Sequence, residues 1–183
     1  MDNGARSYRR FLEGDESAFD EIMKELFQGL VFFINRYLHD VHAAEDLAID
    51  AFSDLVVYRH RYNFKVPLKT YLYMIGRCRA LDTLKHRKRI GSAELSEVED
   101  LPDGEKTPEE AVISDERRRA VNAAVAMLSE EMRDAVHLIY FEEMSYEDAA
   151  RVMRKTRKQV DNLLYRAKKE LRMILGKEGE FLL

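Results

Sequence analysis

Lysine and arginine are concentrated near the carboxyl end of this 183-residue sequence. Between Arg151 and Arg172 there are nine basic residues and only two acidic ones, although the whole chain has a formal net charge of −4. Guanidinium and ammonium groups suit phosphates and guanine edges, whereas Gln and Asn side chains suit adenine edges. The stretch could therefore bind DNA, or it could be the solvated basic face of a helical bundle.

Two helices joined by a short turn are predicted to position these side chains. Ser145 and Thr156 can each cap a helix, with Asp148 and Gln159 as their partners at the third helical position. The first helix is expected to end near Met153, which makes the pair a helix-turn-helix. The second helix is predicted to bury an apolar stripe, namely Val160, Leu163, Leu164, Ala167, Leu171 and Ile174.

The remaining faces of the second helix are polar and are predicted to stay exposed. They hold Lys158, Asn162, Arg166 and Lys169. The start of the helix, where a recognition helix meets base edges, holds Lys155, Arg157, Lys158 and Gln159. Asp161 lies in the middle of this basic face and counts against a simple grip on phosphates.

The rest of the chain also has a helical pattern, with only eight Gly and three Pro. Three apolar stripes at helical spacing cover residues 19–34, 44–55 and 68–84. Residues 92–115 carry nine acidic and one basic side chain, whereas the flanking parts are mildly basic. We therefore predict an all-α fold of two helical domains, 1–91 and 108–183, joined by an acidic linker at 92–107 that leads to a helix capped by Thr107.

Composition argues against several other classes of protein. No apolar run approaches the roughly 20 residues of a membrane span, and the first residues lack the apolar core of a signal peptide. The single cysteine, Cys78, allows no internal disulfide and no cysteine-cluster zinc site. A cytoplasmic protein is expected. No catalytic residues, cofactor or metal site are predicted, although the adjacent His39 and Asp40 leave a metal-dependent phosphohydrolase as an alternative.

Three stretches of the sequence resemble one known family. "FEEMSYEDAARVMRKTRKQVDNLLYRAKKELR" is similar to region 4 of the group IV, extracytoplasmic-function (ECF) sigma factors of bacteria. "AAEDLAIDAF" and "LKTYLYMIGRCRALDTLKHRKR" resemble region 2 of the same family, in the same order. The resemblance implies a subunit that binds core RNA polymerase and promoter DNA, and an anti-sigma factor as a further partner. It implies no membrane insertion.

The same resemblance implies a role for each region. In region 2, the polymerase-binding residues would be Glu45, Asp46, Asp50 and Asp54, facing the coiled coil of the beta-prime subunit. The three aspartates stack like charges at i, i+4 and i+8, which costs a few tenths of a kcal/mol per pair unless a basic surface offsets it. Ile49 departs from the family, which usually has Gln there.

The resemblance also assigns the capture of the promoter −10 element to region 2. The residues concerned would be Tyr62, Asn63, Phe64, Lys65, Lys69, Tyr73, Arg77 and Arg79, whereas Tyr71 is expected to be core. Aromatic rings accept an unstacked base, worth about 1–3 kcal/mol each. Cys78 stands where the family commonly has Asn.

In region 4, the implied −35-reading residues are Lys155, Arg157, Lys158, Gln159, Asn162, Tyr165 and Arg166. Arg154 replaces the usual glycine of the turn, and Asp161 stands where Lys is common. A conventional helix-turn-helix regulator with a helical sensor or dimerisation domain is the remaining alternative, and in such a protein the acidic ladder would have no special purpose.

Overall fold

The computed structural model describes residues 3–91 and 120–176, and these residues divide into two compact helical units. The first contains residues 3–91 and the second contains most of residues 120–176. No strand occurs in either described range, so the predicted all-α class is confirmed. The acidic linker, the helix start at Thr107 and both predicted domain boundaries involve residues 92–119, which lie outside the described part of the chain.

The first unit is built from four helices. They are α1 (Asn3–Leu12), α2 (Ser17–Leu38), α3 (Val41–Val57) and α4 (Leu68–Ile90), with a short 3₁₀ turn at Arg59–Arg61 between α3 and α4. Helix α2 is central and packs against the other three. It buries apolar residues on more than one side, including Ile22, Leu30, Phe33 and Ile34. The sequence pattern does not predict helix α1, because its ten residues bury only Gly4, Ala5 and Tyr8.

The junction between α2 and α3 explains the adjacent His39 and Asp40. His39 ends α2 in a left-handed conformation, with φ of 50°, and Asp40 begins α3 by accepting a hydrogen bond from the Ala43 amide at 3.0 Å. This hydrogen bond is the main reason why the pKa of Asp40 is lowered. The guanidinium of Arg87, 3.0 Å away, lowers the pKa further, whereas burial opposes the shift. Both residues therefore have a structural role at this turn. Within the described residues, no cluster of three potential metal ligands occurs.

Close packing between α2 and α4 depends on Gly76. A Cβ atom at this position would lie 2.8 Å from Leu30 Cδ1 and 3.1 Å from Ile34 Cδ1, both in fully buried side chains. We expect Gly76→Val to destabilise the first unit by about 2–3 kcal/mol, since overpacking outweighs the small gain in helix propensity. Urea unfolding followed by circular dichroism measures the loss. The control Gln28→Val, on the exposed side of α2, should change stability by less than about 0.5 kcal/mol; equal losses would contradict the packing argument.

Residues 120–176 form four further helices and a π-helical turn. The described part of α5 covers residues 120–127, and α6 is Glu130–Val136, continued by the turn at His137–Phe141. Helices α7 (Tyr146–Met153) and α8 (Arg157–Leu175) follow, and α6 packs against α8. The predicted helix-turn-helix is thus present, with three residues between its helices.

Local hydrogen bonds define the turn of this motif. Thr156 and Gln159 form the complete capping box that the sequence predicts. At the start of α7, the Asp148 amide donates to Ser145 Oγ at 3.1 Å, as expected of that cap. Arg154 has φ of 54°, the left-handed region that costs a residue with a side chain about 1–2 kcal/mol, which explains why glycine is common there.

Candidate nucleic-acid interface

The exposed face of α8 is the first candidate surface. Its core side is as predicted, with Val160, Leu163, Leu164, Ala167 and Leu171 buried, but Ile174 is 40% exposed and the prediction for it is wrong. Away from this core, the exposed residues are Arg157, Lys158, Gln159, Asp161, Asn162, Tyr165, Arg166, Lys169, Arg172 and Met173. Helix α8 therefore presents its cations on the side away from the core of the unit.

Ion pairs distinguish these cations from one another. The Lys155 amine lies 2.7 Å from a Glu131 carboxylate oxygen and its side chain is only 20% exposed. Arg157 pairs with Glu147 at 3.2 Å, although both side chains are well exposed. Within residues 120–176, no acidic group lies at ion-pair distance from Lys158 or Arg166. These two cations are therefore available to an anionic partner, as are the exposed Lys169 and Arg172, which also have no acidic group at ion-pair distance within residues 120–176.

The Gln159 side chain has fewer hydrogen-bonding groups available to a base than its position in the sequence suggests. Its Oε1 accepts from the Thr156 amide at 2.8 Å, so the capping box uses the acceptor that a bidentate adenine contact requires. The side-chain amide nitrogen, Nε2, is still available to donate a hydrogen bond to a base. Asn162 and Tyr165, by contrast, are exposed, and the Tyr165 side chain is 72% exposed on the same face as Arg166.

The acidic face of α3 is the second candidate surface. Asp46 is exposed, and no cation in the described first unit lies within ion-pair distance of it. Glu45 is about half exposed and lies 3.7 Å from a nitrogen of His42. Asp50 and Asp54 instead share one arginine, Arg79 of α4, whose two terminal nitrogens lie 2.9 and 2.8 Å from their carboxylates.

This shared arginine changes two of the predicted roles. Arg79 is predicted to contact DNA, but in this structure it links α4 to α3 through two carboxylates. Asp54 is predicted to face a partner, yet its side chain is only 20% exposed. Spacing alone shows that the aspartates share a face, and it cannot show that α4 supplies a cation to two of them.

An apolar groove lies beside the acidic face, and the sequence does not predict it. It has a volume of about 280 Å³, and its lining residues come from α2 and α3: Phe19, Met23, Ile49, Phe52, Ser53, Val56 and Val57. Ile49 is 50% exposed and Val57 66% exposed. The sequence signal that could have indicated the groove is Ile49 itself, an apolar residue four positions after Glu45 and three after Asp46, on the face that carries these acids.

The loop between α3 and α4 holds the predicted aromatic and basic residues. Asn63 and Lys65 are exposed, and the Lys65 amide donates to Asn63 Oδ1 at 3.1 Å. Phe64, half-buried between them, has φ of 61°, which is strained for a residue with a side chain. Such strain is often found at functional sites, so this loop is the third candidate surface.

Two tyrosines of this region are core residues in the structure, contrary to prediction. Tyr62 is 3% exposed and its hydroxyl donates to the Val66 carbonyl at 2.8 Å, which closes the loop. Tyr73 is fully buried, with its ring 5.0 Å from that of Phe33. Neither ring is open to a base here. Tyr71, which is expected to be core, is half-buried, and burial raises its pKa.

Two predicted cations of α4 occupy intermediate positions. Lys69 and Arg77 are both half-buried, and the Lys69 amine lies 5.7 Å from the centre of the Tyr73 ring. The structure thus brings together Asn63, Phe64 and Lys65 in one loop, with Lys69 at the start of the following helix. Among the helices that the structure describes, none has the length and apolar character needed to cross a membrane.

Comparison with known proteins identifies the family to which these surfaces belong. The family described as Sigma-70 region 2 matches residues 22–90, and the family described as Sigma-70, region 4 matches residues 118–171. The RNA polymerase sigma-H factor of Pseudomonas aeruginosa is 31% identical over 172 residues, which cover 88% of each chain. The ECF RNA polymerase sigma factor SigW of Bacillus subtilis is 26% identical over 169 residues, covering 87% of this chain and 90% of SigW.

A solved structure has the same fold. The sigma factor RpoE of Bartonella quintana, crystallised with the anti-sigma factor NepR, aligns with a TM-score of 0.70 at 21% identity, covering 87% of this chain and 97% of that one. Both sigma regions occur in the expected order, and each lies mainly in a different helical unit. The chain therefore belongs to the sigma-70 family, in its group of ECF RNA polymerase sigma factors.

Proposed function

We propose that the two helical units divide the work of a sigma factor, which directs promoter-specific transcription by RNA polymerase. The first unit, region 2, binds core polymerase through α3 and the −10 element through the loop before α4. The second unit, region 4, reads the −35 element through α8. The observation that carries this proposal is that the two sigma regions fall mainly in different helical units of one chain. The protein would act in the cytoplasm as a non-catalytic initiation factor.

The polymerase contact would centre on the exposed acids of α3. Asp46 is the acid with no cation at ion-pair distance in the described first unit, and Glu45 lies beside it in the sequence. A basic coiled coil of the beta-prime subunit would offset the repulsion between Asp46 and Asp50. Asp50 and Asp54 would contribute less, because both already form ion pairs with Arg79. Ile49 would add an apolar contact next to these charges.

The −10 contact would use the loop formed by Asn63, Phe64 and Lys65. Tyr62 closes this loop through its hydroxyl and therefore acts as a support for it. Lys69 and Arg77 follow on α4, where they would contact the DNA backbone, while Tyr73 holds α4 to α2 from the core. Arg79 would fix α3 against α4 and so position the polymerase face relative to this loop.

The −35 contact would use the exposed face of α8. Lys158 and Arg166 are exposed cations with no ion pair among residues 120–176, and Asn162 and Tyr165 lie on the same helix face. Arg157 would exchange its solvent-exposed pair with Glu147 for a phosphate at little cost, because exposed ion pairs contribute about 0–1 kcal/mol. Lys155 and Gln159 would act mainly by holding the turn.

An anti-sigma factor is the further partner that we propose. The related RpoE structure is a complex with such a protein. An inhibitor that covered the acids of α3 and the apolar groove beside them would block polymerase binding. Its own contact surface would need basic residues next to apolar ones, to match Asp46 and Ile49.

Gel filtration with purified core polymerase tests the proposed function. The protein should elute with core polymerase as a stoichiometric complex. A conventional helix-turn-helix regulator, the alternative from the sequence, should elute alone under the same conditions. Elution of the full chain as a free species at micromolar concentrations of both components would refute the polymerase-binding role.

A further inference from the structure

Three exposed arginines of the first unit each lie over an aromatic ring. The guanidinium carbon of Arg9, on α1, lies 5.2 Å from the centre of the Phe64 ring. In the 3₁₀ turn, Arg59 lies 5.0 Å from the ring of Phe11 and Arg61 lies 3.9 Å from the ring of Tyr58. All three arginines are exposed. Two segments far apart in sequence thus present similar cation–aromatic pairs.

The rings beneath two of these arginines belong to one cluster. Tyr8 is at its centre, with its ring 5.5 Å from Tyr62 and 6.0 Å from both Phe11 and Phe64. The Tyr8 hydroxyl donates to the Leu55 carbonyl at 2.7 Å, which fixes α1 to the end of α3. The cluster therefore holds Arg9 and Arg59 next to the loop that contains Phe64.

The positive charge of these arginines is not neutralised by ion pairs among residues 3–91. Throughout residues 3–91, no carboxylate lies at ion-pair distance from Arg9, Arg59 or Arg61. Arg10, the neighbour of Arg9, is the contrast: it lies 2.6 Å from Asp15 and 2.9 Å from Glu21. The hydrogen bonds from Arg10 to Asp15 and then to Glu21 raise its pKa. Adjacent arginines on one helix thus differ sharply in what they can offer a ligand.

An exposed guanidinium over a ring suits single-stranded nucleic acid. Its N–H groups can bind phosphates and its planar face can stack on an unpaired base, which a duplex keeps stacked inside. We propose that Arg9, Arg59 and Arg61 form a binding surface for single-stranded DNA that extends the loop site onto α1. The surface takes the phosphates of nucleotides that adjoin the base at Phe64. This inference rests on the proposed −10 function of that loop.

Fluorescence anisotropy of the full chain with labelled oligothymidylate, at several low salt concentrations, tests the proposal. Replacing Arg9, Arg59 and Arg61 together by Ala should lower affinity at least about tenfold and reduce the salt slope by roughly 0.7 for each phosphate that is no longer neutralised. The matched control Arg10→Ala removes the same charge from the same helix and should change affinity less than about twofold. Arg9→Lys, which keeps the charge, should retain most of the affinity that Arg9→Ala loses.

Two outcomes would overturn the inference. One is an equal decrease in affinity in Arg9→Ala and Arg10→Ala, which would show a nonspecific effect of net charge; the other is unchanged binding in the triple variant. Circular dichroism verifies that the variants are folded. Co-elution with core polymerase, measured on the same proteins, keeps the inference separate from the proposed function. A wild-type chain that joins polymerase while the triple variant binds oligothymidylate normally would refute the arginine surface alone.

Discussion

Asp46→Lys should weaken binding to core polymerase by at least about tenfold while leaving the fold intact. The proposed partner surface is basic, so a lysine here replaces attraction with like-charge repulsion, which costs several kcal/mol at an interface. Asp46 is exposed, and no described residue of the first unit pairs with it. The change also removes the repulsion between positions 46 and 50, four residues apart on α3. Holoenzyme formation would be followed by competition with a labelled wild-type chain.

The control for this prediction is Glu25→Lys. Glu25 is also exposed and acidic, but it lies on α2, so the variant has the same net charge without altering the proposed contact. We expect it to bind polymerase within about twofold of wild type. Equal affinity in Asp46→Lys and wild type would show that α3 does not face the polymerase, whereas equal weakening in both variants would show only a general effect of charge.

Replacing both Lys158 and Arg166 by Ala should remove most transcription that depends on a −35 element. Each residue exposes a cation with no acidic group at ion-pair distance among residues 120–176, so its charge is available to DNA. A good base or phosphate contact contributes about 1–3 kcal/mol, and the two effects should nearly add. The expected decrease is about 2–4 kcal/mol of promoter affinity, or roughly 30-fold or more at limiting holoenzyme.

Lys168→Ala is the matched control for the single substitutions Lys158→Ala and Arg166→Ala. Lys168 belongs to the same helix, but it is half-buried and its amine lies 5.3 Å from the Tyr140 ring. Promoter affinity, measured by footprinting with the holoenzyme at increasing salt, should change little in this control. Full promoter activity in the double variant would show that the exposed face of α8 does not contact DNA.

Sequence patterns predict much of the helical framework and of the recognition helix. The apolar spacing in α8 and the Thr156–Gln159 capping box are local features, so they can be interpreted without knowing what packs nearby. Helix α1 escapes prediction because a short arginine-rich helix with one large buried residue, Tyr8, has no clear stripe. Arg9 cannot be identified from sequence spacing either, because its proposed role depends on the ring of Phe64, 55 positions further along the chain.

Contacts between helices explain why some predicted site residues have different roles in the structure. Tyr73 is buried because α2 brings Phe33 against it, and Tyr62 because Tyr8 and Tyr71 enclose its ring. Arg79 forms ion pairs within the unit because α3 places two carboxylates 2.9 and 2.8 Å from its guanidinium nitrogens. Spacing shows which side chains share a helix face. Whether that face is exposed to solvent, buried in the core or paired with opposite charges depends on the neighbouring helix.

The most direct test of the central claim is transcription from fragments of the source genome by core polymerase, with and without this protein. Addition of the chain should produce new transcript 5′ ends, and the DNA upstream of them should share two sequence boxes at one fixed spacing. The Lys158→Ala and Arg166→Ala double variant should fail to produce those ends. An unchanged set of 5′ ends on adding a wild-type chain that is folded and bound to polymerase would contradict the claim that its two units direct initiation at specific promoters.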